Sequence, residues 1–169
     1  MHNKTTPHIK IAFIGGGNMA GALIGGLRDK PDQPAEIHVV DLNADSLQNL
    51  KDRFHVSTSQ QIDAHLQSAD VIVLSVKPQQ LREVAEKLAP HIKQQLVISI
   101  AAGIRLTDLS RWLNHYQRIV RTMPNMPALI NQGVTGMVAA NEVSEDQARS
   151  PTQSSPQSDK QSGSMTKPC

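Results

Sequence analysis

Aromatic side chains are nearly absent: Phe13, Phe54, Trp112 and Tyr116 make up 2% of the 169 residues. A core built from this chain must be aliphatic, and a base-stacking nucleic-acid surface lacks its platforms. Cysteine is as scarce. Cys169, the last residue, is the single one, which excludes an internal disulfide framework and any multi-cysteine zinc site, and fits a reducing cytoplasm. Charge of one sign is not in excess either. With 17 Lys and Arg against 15 Asp and Glu, the formal net charge of +2 is too weak a field to gather polyanions or a membrane surface. Long apolar runs are missing: a bilayer span needs about 20 residues, and the N-terminal MHNKTTPHIKIAFIGGGN is broken by glycines before any signal-type cleavage region. We therefore expect a soluble, unexported, cytoplasmic protein with neither nucleic acid nor membrane as a partner. Its length suits one ordinary domain.

What is present is alternation of strands and helices. The period-two pattern of HIKIAFI (8–14) predicts a strand, and a glycine turn leads into a helix carrying Met19, Leu23 and Leu27. EIHVV (36–40) is a second strand. Leu47, Leu50 and Phe54 recur at helical spacing, Ile62 and Leu66 mark a short helix, and VIVLSV (71–76) is a continuous apolar strand of the kind buried on both faces. Leu81, Val84, Ala85 and Leu88 form an amphipathic helix stopped by Pro90. LVISI (96–100) is another buried strand, and Thr107 is expected to cap the turn bearing Leu109, Trp112 and Leu113. RIVRT (118–122) and VTGMVAA (134–140) supply two further strands. Because a crossover helix joins parallel neighbours, this order predicts an α/β fold of Rossmann-like, doubly wound type with a mostly parallel sheet.

The chemistry-bearing motif is Ile14-Gly15-Gly16-Gly17-Asn18-Met19-Ala20, a G-x-G-x-x-A placed between the first strand and the first helix. Gly15 makes the tight turn, Gly17 lets backbone approach a pyrophosphate, and Ala20 lets helix and strand pack closely, which leaves helix N-terminal amides for the anion. Gly21, Gly25 and Gly26 are read as helix-packing positions. Asp41, at the end of the second strand, either accepts from the ribose hydroxyls of NAD and repels the extra phosphate of NADP, or caps the following turn. Arg53 is the first cation after it and reads as a solvated helix charge. Ligands of open α/β sheets lie beyond the carboxyl ends of the strands, and two more such ends carry small or rigid residues. Ser75-Val76-Lys77-Pro78 ends one strand and Ala101-Ala102-Gly103 another. Lys77 is read as positioned by its backbone with a solvated ammonium. In Met123-Pro124-Asn125-Met126-Pro127-Ala128 the two prolines fix the backbone around Asn125, whose amide can donate and accept; a rigid turn with a capping Asn is the other reading. Histidines 2, 8, 38, 55, 65, 91 and 115 show no H-x-x-x-H or H-E-x-x-H spacing, so no metal is expected. No G-x-S-x-G elbow and no Tyr-x-x-x-Lys pair occurs.

Taken in series, FIGGGNMAGALIGGL, VLSVKP, VISIAAGI and RIVRTMPNMPALINQGVTGM resemble the pyrroline-5-carboxylate reductase family over about residues 9–148. The resemblance implies NADPH or NADH reducing the ring C=N of pyrroline-5-carboxylate to L-proline. It also implies that Gly15 to Met19, Ser75 to Pro78 and Ala101 to Gly103 line the cofactor, with Asn125 and Pro127 near the nicotinamide and substrate; Ile14, Ala20 and Asp41 join the expected cofactor positions from the motif and the strand end alone. No catalytic residue follows from it. Two positions depart from the family: Met126 stands where Thr is usual, and Ser59-Gln60-Gln61-Ile62-Asp63 lacks a common Asn. The family continues into a helical second domain that makes the dimer and supplies much of the substrate pocket, and no such segment is present. The alternatives left open are a non-catalytic dinucleotide-binding fragment and a related G-x-G-x-M dehydrogenase.

The domain reading is therefore an NAD(P)-binding unit over residues 1–148 and a disordered, aberrant tail over 149–169. Of the twenty residues from 150 onward, twelve are Ser, Pro or Gln, too little apolar surface to build a core. Ser144-Glu145-Asp146-Gln147 is a helix start that Pro151 interrupts. Codons taken from the wobble base of Ser150 onward permit ADTIFSAVGQTIWVDDEAL, with buried-type segments that look like the family's continuation. We read the tail as a one-base frame slip near Arg149.

Overall fold

Ile11 and Phe13 point to one side of the first strand, and Ala12 and Ile14 to the other; each pair is buried in a different core. That alternation on a strand covered on both faces is the organising feature of the chain. The structure, a computed structural model, describes residues 8–29, 35–123 and 136–139. Strands β1 (Ile9–Ile14), β2 (Ala35–Val40), β3 (Ser57–Ser59), β4 (Val71–Leu74), β5 (Leu96–Ser99), β6 (Ile119–Met123) and β7 (Gly136–Ala139) form one seven-stranded sheet in the order β3-β2-β1-β4-β5-β6-β7. All neighbours are parallel except β6 and β7, which are antiparallel. The expected doubly wound, mostly parallel sheet is thus present.

Helices α1 (Asn18–Arg28) and α2 (Ala44–Phe54) cover one face, where Ala20, Ile24, Leu47 and Leu50 pack on Phe13, Ile37, Val39 and Val73. Helices α3 (Ala64–Ser68), α4 (Pro78–Leu88) and α5 (Leu106–Trp112) cover the other, with Leu66, Leu81, Ala85, Leu88 and Leu109 on Ala12, Ile72, Leu74, Val97 and Ile119. Leu66, Leu81 and Leu88 are fully buried, each contributing about 1.5–3 kcal/mol of transfer free energy. Phe13 is the one aromatic residue inside either core.

Several expectations are corrected. Strand β3 was not foreseen: Ser57-Thr58-Ser59 has no apolar period, and it forms because the edge of β2 offers a free backbone ladder. The strand read as 71–76 ends at Leu74, and the one read as 96–100 ends at Ser99. Thr107 is not a cap. It lies inside α5, whose N-cap is Arg105 with no side-chain hydrogen bond. Ile62 precedes α3 and packs from the loop. Pro90 does not stop the chain abruptly, since α4 ends at Leu88 and a 3-10 turn, Ala89–His91, carries the proline in its first turn, where its missing N–H costs nothing. The tail reading, 149–169, lies outside the described residues.

Candidate functional site

Because β1, β2, β4 and β5 are parallel and in register, their carboxyl ends open onto one edge of the sheet. Ile14, the last residue of β1, is followed by three glycines whose roles separate. Gly15 has φ +102°, and its amide donates to the Val40 carbonyl at 2.8 Å. A Cβ there would lie 2.7 Å from the Ser75 carbonyl oxygen, so only glycine fits against the β4 end. The Gly16 amide donates to Asp41 Oδ2 at 2.6 Å. Gly17 is the N-cap of α1 in extended conformation, with no side-chain cap, and a Cβ on it would meet nothing within 4 Å. The first intrahelical amide is that of Gly21, bonded to the Gly17 carbonyl at 3.0 Å. Helix geometry therefore leaves the N–H groups of Asn18, Met19 and Ala20 without acceptors in α1. The site has backbone donors, the positive end of a helix dipole and space beside Gly17, which suits an anion. Ala20 is fully buried, the close approach expected of it. Gly21 and Gly25 face Leu50 and Phe54 of α2, whose side chains a Cβ on either glycine would meet at 3.5 Å, as helix-packing positions should.

Asp41 is half-buried and both its oxygens are engaged: Oδ2 by Gly16, and Oδ1 by the Asn43 amide at 2.8 Å. Of the two sequence readings of Asp41, its hydrogen bonds are those of the turn-capping one. Asn43 in turn caps α2, accepting from Asp45 and Ser46 amides at 2.9 and 3.2 Å. Leu42, between them, is 84% exposed, the largest apolar exposure at this edge. Arg53 sits at the far end of α2, its guanidinium 4.8 Å from the centre of the Phe54 ring.

Ser75 fastens the glycine loop. Its amide donates to the Ile14 carbonyl at 2.8 Å, and its hydroxyl reaches the carbonyls of Gly15 and Ile14 at 2.7 and 3.1 Å. Val76 packs on the core beside α4, Lys77 is the exposed N-cap residue of α4, and Pro78 occupies its first turn. Lys77 makes no side-chain cap, since an ammonium has no acceptor to offer the helix amides. Ala101 is buried with its amide on Ser99 Oγ at 3.4 Å, while Ala102 and Gly103 are exposed and Gly103 has φ +76°. The structure thus gathers Ile14 to Ala20, Asp41 and Ser75 to Pro78 directly, with Ala101 to Gly103 on the next strand end. Asn125 and Pro127 lie outside the described residues.

A second polar cluster was missed by the sequence spacing. His38 on β2, Asp63 at the N-cap of α3 and His65 in that helix offer ligand-type atoms all within 4.8 Å of one another. Burial lowers the His38 pKa from its ordinary value, more than the neighbouring Asp63 raises it, and His65 lowers it further. For Asp63, burial works to raise the pKa, but the His65 amide and the two imidazoles together hold it below the usual carboxylate range. The signal was spatial: residues 38 and 63 meet because β3 lies beside β2 and returns the chain over it.

A protein-family model described as NADP oxidoreductase, coenzyme F420-dependent, matches residues 10–103. The chain is 44% identical over 136 residues to a pyrroline-5-carboxylate reductase of Pseudomonas aeruginosa, covering 80% of this chain and 50% of that protein. It is 39% identical over 130 residues to the pyrroline-5-carboxylate reductase of Escherichia coli, covering 76% and 48%. The solved pyrroline-5-carboxylate reductase of Coxiella burnetii superposes with a TM-score of 0.78 at 38% identity, over 83% of this chain and 53% of that one. The chain spans about half the length of the curated relatives it matches. Among the described residues, no helix is long and apolar enough to cross a membrane.

Proposed function

Since the chain belongs to the family described as NADP oxidoreductase, coenzyme F420-dependent, we propose that residues 1–148 are the NAD(P)H-binding unit of a cytoplasmic pyrroline-5-carboxylate reductase. The reaction is reduction of 1-pyrroline-5-carboxylate to L-proline, in which the imine carbon accepts a hydride and the ring nitrogen a proton. The observation that carries the reading is the glycine loop. Its amides are tied to Val40 and Asp41 and its carbonyls to Ser75, with open space beside Gly17 at the start of α1, within a chain 44% identical to a pyrroline-5-carboxylate reductase.

NADPH or NADH would supply the hydride. The α1 amides hold its pyrophosphate and Gly17 gives the backbone room to approach. Asp41 and the exposed Leu42 face the adenosine half. Ser75 to Pro78 and Ala101 to Gly103 would lie against the nicotinamide half, and the family resemblance assigns Asn125 and Pro127 to the ring and the substrate. The two N–H groups on Asp41 partly offset its negative charge, which weakens its repulsion of a second phosphate without removing it.

The test is titration of the purified chain with NADPH and with NADH, following nicotinamide fluorescence. Saturable binding is expected, lost in Gly17→Val while the unfolding midpoint stays close to that of the parent chain. A folded Gly17→Val variant with unchanged affinity would remove the cofactor site from this edge.

A further inference from the structure

On the face opposite α1 and α2, His38 is 6% exposed and its Nε2 is buried with no hydrogen-bond partner. This is an unusual position for a polar nitrogen, because a buried group without a partner gives up its hydration uncompensated. Nδ1 lies 2.8 Å from Ser57 Oγ, a hydroxyl that is also 3.3 Å from the Ile37 carbonyl, so Ser57 can either donate to Nδ1 or accept from it. Nε2 faces Asp63 Oδ2 at 3.5 Å, and the same carboxylate oxygen stands 3.3 Å from His65 Nδ1. Two imidazole nitrogens and a carboxylate oxygen thus meet, and a cation that takes the Nε2 lone pair leaves Nδ1–H to donate to Ser57.

We propose that His38 Nε2, Asp63 Oδ2 and His65 Nδ1 form a binding site for one divalent transition-metal ion of the zinc class. Two imidazoles and one carboxylate are a donor set suited to such ions, and three protein ligands leave a position for water. Bonds of about 2.0 Å in a tetrahedron put ligand atoms about 3.3 Å apart, which the two contacts to Asp63 already match. One adjustment is required. The His38 and His65 rings are stacked, with centroids 4.5 Å apart and planes within 15°, so their in-plane lone pairs run side by side and do not converge. His65 must swing about its side-chain torsions. Its side chain is 59% exposed and free of core packing, whereas His38 is fixed by Ser57. Ser57 Oγ, 2.8 Å from the other ring nitrogen of His38, would hold that imidazole in place against a bound ion. A bound ion would clamp β2 to the start of α3, on the flank of the sheet that ends in Asp41.

The test uses the untagged 169-residue chain with Zn2+ and Co2+ as probes. Expected are one equivalent of Zn2+ by calorimetry, a Zn2+-dependent rise in unfolding temperature, and visible ligand-field absorption from Co2+. His65→Ala should weaken Zn2+ binding at least about tenfold. So should Asp63→Asn, which keeps the Oδ1 that accepts the His65 amide at 3.0 Å and so preserves the α3 cap. His91→Ala should leave binding unchanged. Circular dichroism establishes that each variant is folded. Absence of saturable Zn2+ binding by the parent chain, or equal affinity in folded His65→Ala and Asp63→Asn, overturns the site.

Discussion

At Gly15 the backbone adopts φ +102° and a side chain would strike the Ser75 carbonyl, whereas two residues on, Gly17 has an ordinary extended backbone and empty space where its side chain would stand. The two glycines should fail differently. Gly15→Ala is expected to lose about 1–3 kcal/mol from the backbone conformation alone, with the clash in addition, read by urea unfolding. Gly17→Val should lose far less stability and nearly all NAD(P)H affinity; equal stability losses in the two variants would show that this division is wrong. At Asp41, removing the carboxylate strips acceptors from the Gly16 and Asn43 amides. Asp41→Ala should therefore cost about 2 kcal/mol and also raise the NADPH-to-NADH affinity ratio. A shift in the ratio with no loss of stability would mean that the two backbone bonds contribute nothing.

Between elements, the polar residue that matters most is Gln95, just before β5. It is 5% exposed, accepts the Lys93 and Gln94 amides at 2.7 and 3.1 Å, and donates to the Leu66 and Gln67 carbonyls at the end of α3. Its own carbonyl accepts the Tyr116 hydroxyl at 2.6 Å, which ties the α5–β6 connection to β5. Gln95→Leu should lose roughly 2–4 kcal/mol, because several buried groups lose partners at once. Burial raises the Tyr116 pKa above its ordinary 10.0, and Arg118 offsets only part of this. For a neutral acid with a raised folded pKa, the unfolded chain releases its proton first. The linked stability is whole below about pH 10 and is lost as pH rises through the folded value. Tyr116→Phe should flatten that alkaline limb and cost about 1 kcal/mol at neutral pH. Equilibrium unfolding from pH 7 to 11 checks both, and an unchanged alkaline slope would exclude Tyr116 as its source.

For the molecule as a whole, the exposed positions at the carboxyl edge decide what the chain can do alone. Gly17, Lys77, Ala102 and Gly103 face solvent, so among the described residues nothing shields a hydride acceptor from water. The 169-residue chain is expected to bind NAD(P)H and to reduce pyrroline-5-carboxylate at a negligible rate in a coupled absorbance assay. Robust turnover would place the substrate-holding groups within this chain. The strand pattern, the glycine loop and the helix periods of α1, α2 and α4 were legible because each is written in local spacing: Phe13 against Ala12, Leu81 against Ala85 and Leu88. The caps were less so. Thr107 has the right chemistry but falls inside α5, and Arg105, which cannot cap, takes the N-cap position.

By itself the sequence determined the doubly wound class and the edge on which ligands meet the sheet, since alternation, glycine spacing and strand ends depend only on near neighbours along the chain. Only the tertiary structure decided the edge strand Ser57–Ser59, the double engagement of Asp41, the Gln95 junction and the meeting of His38 with Asp63 and His65. Each of these joins residues 2 to 29 positions apart through backbone groups or single polar atoms, and no periodicity in composition records which strand will lie beside which.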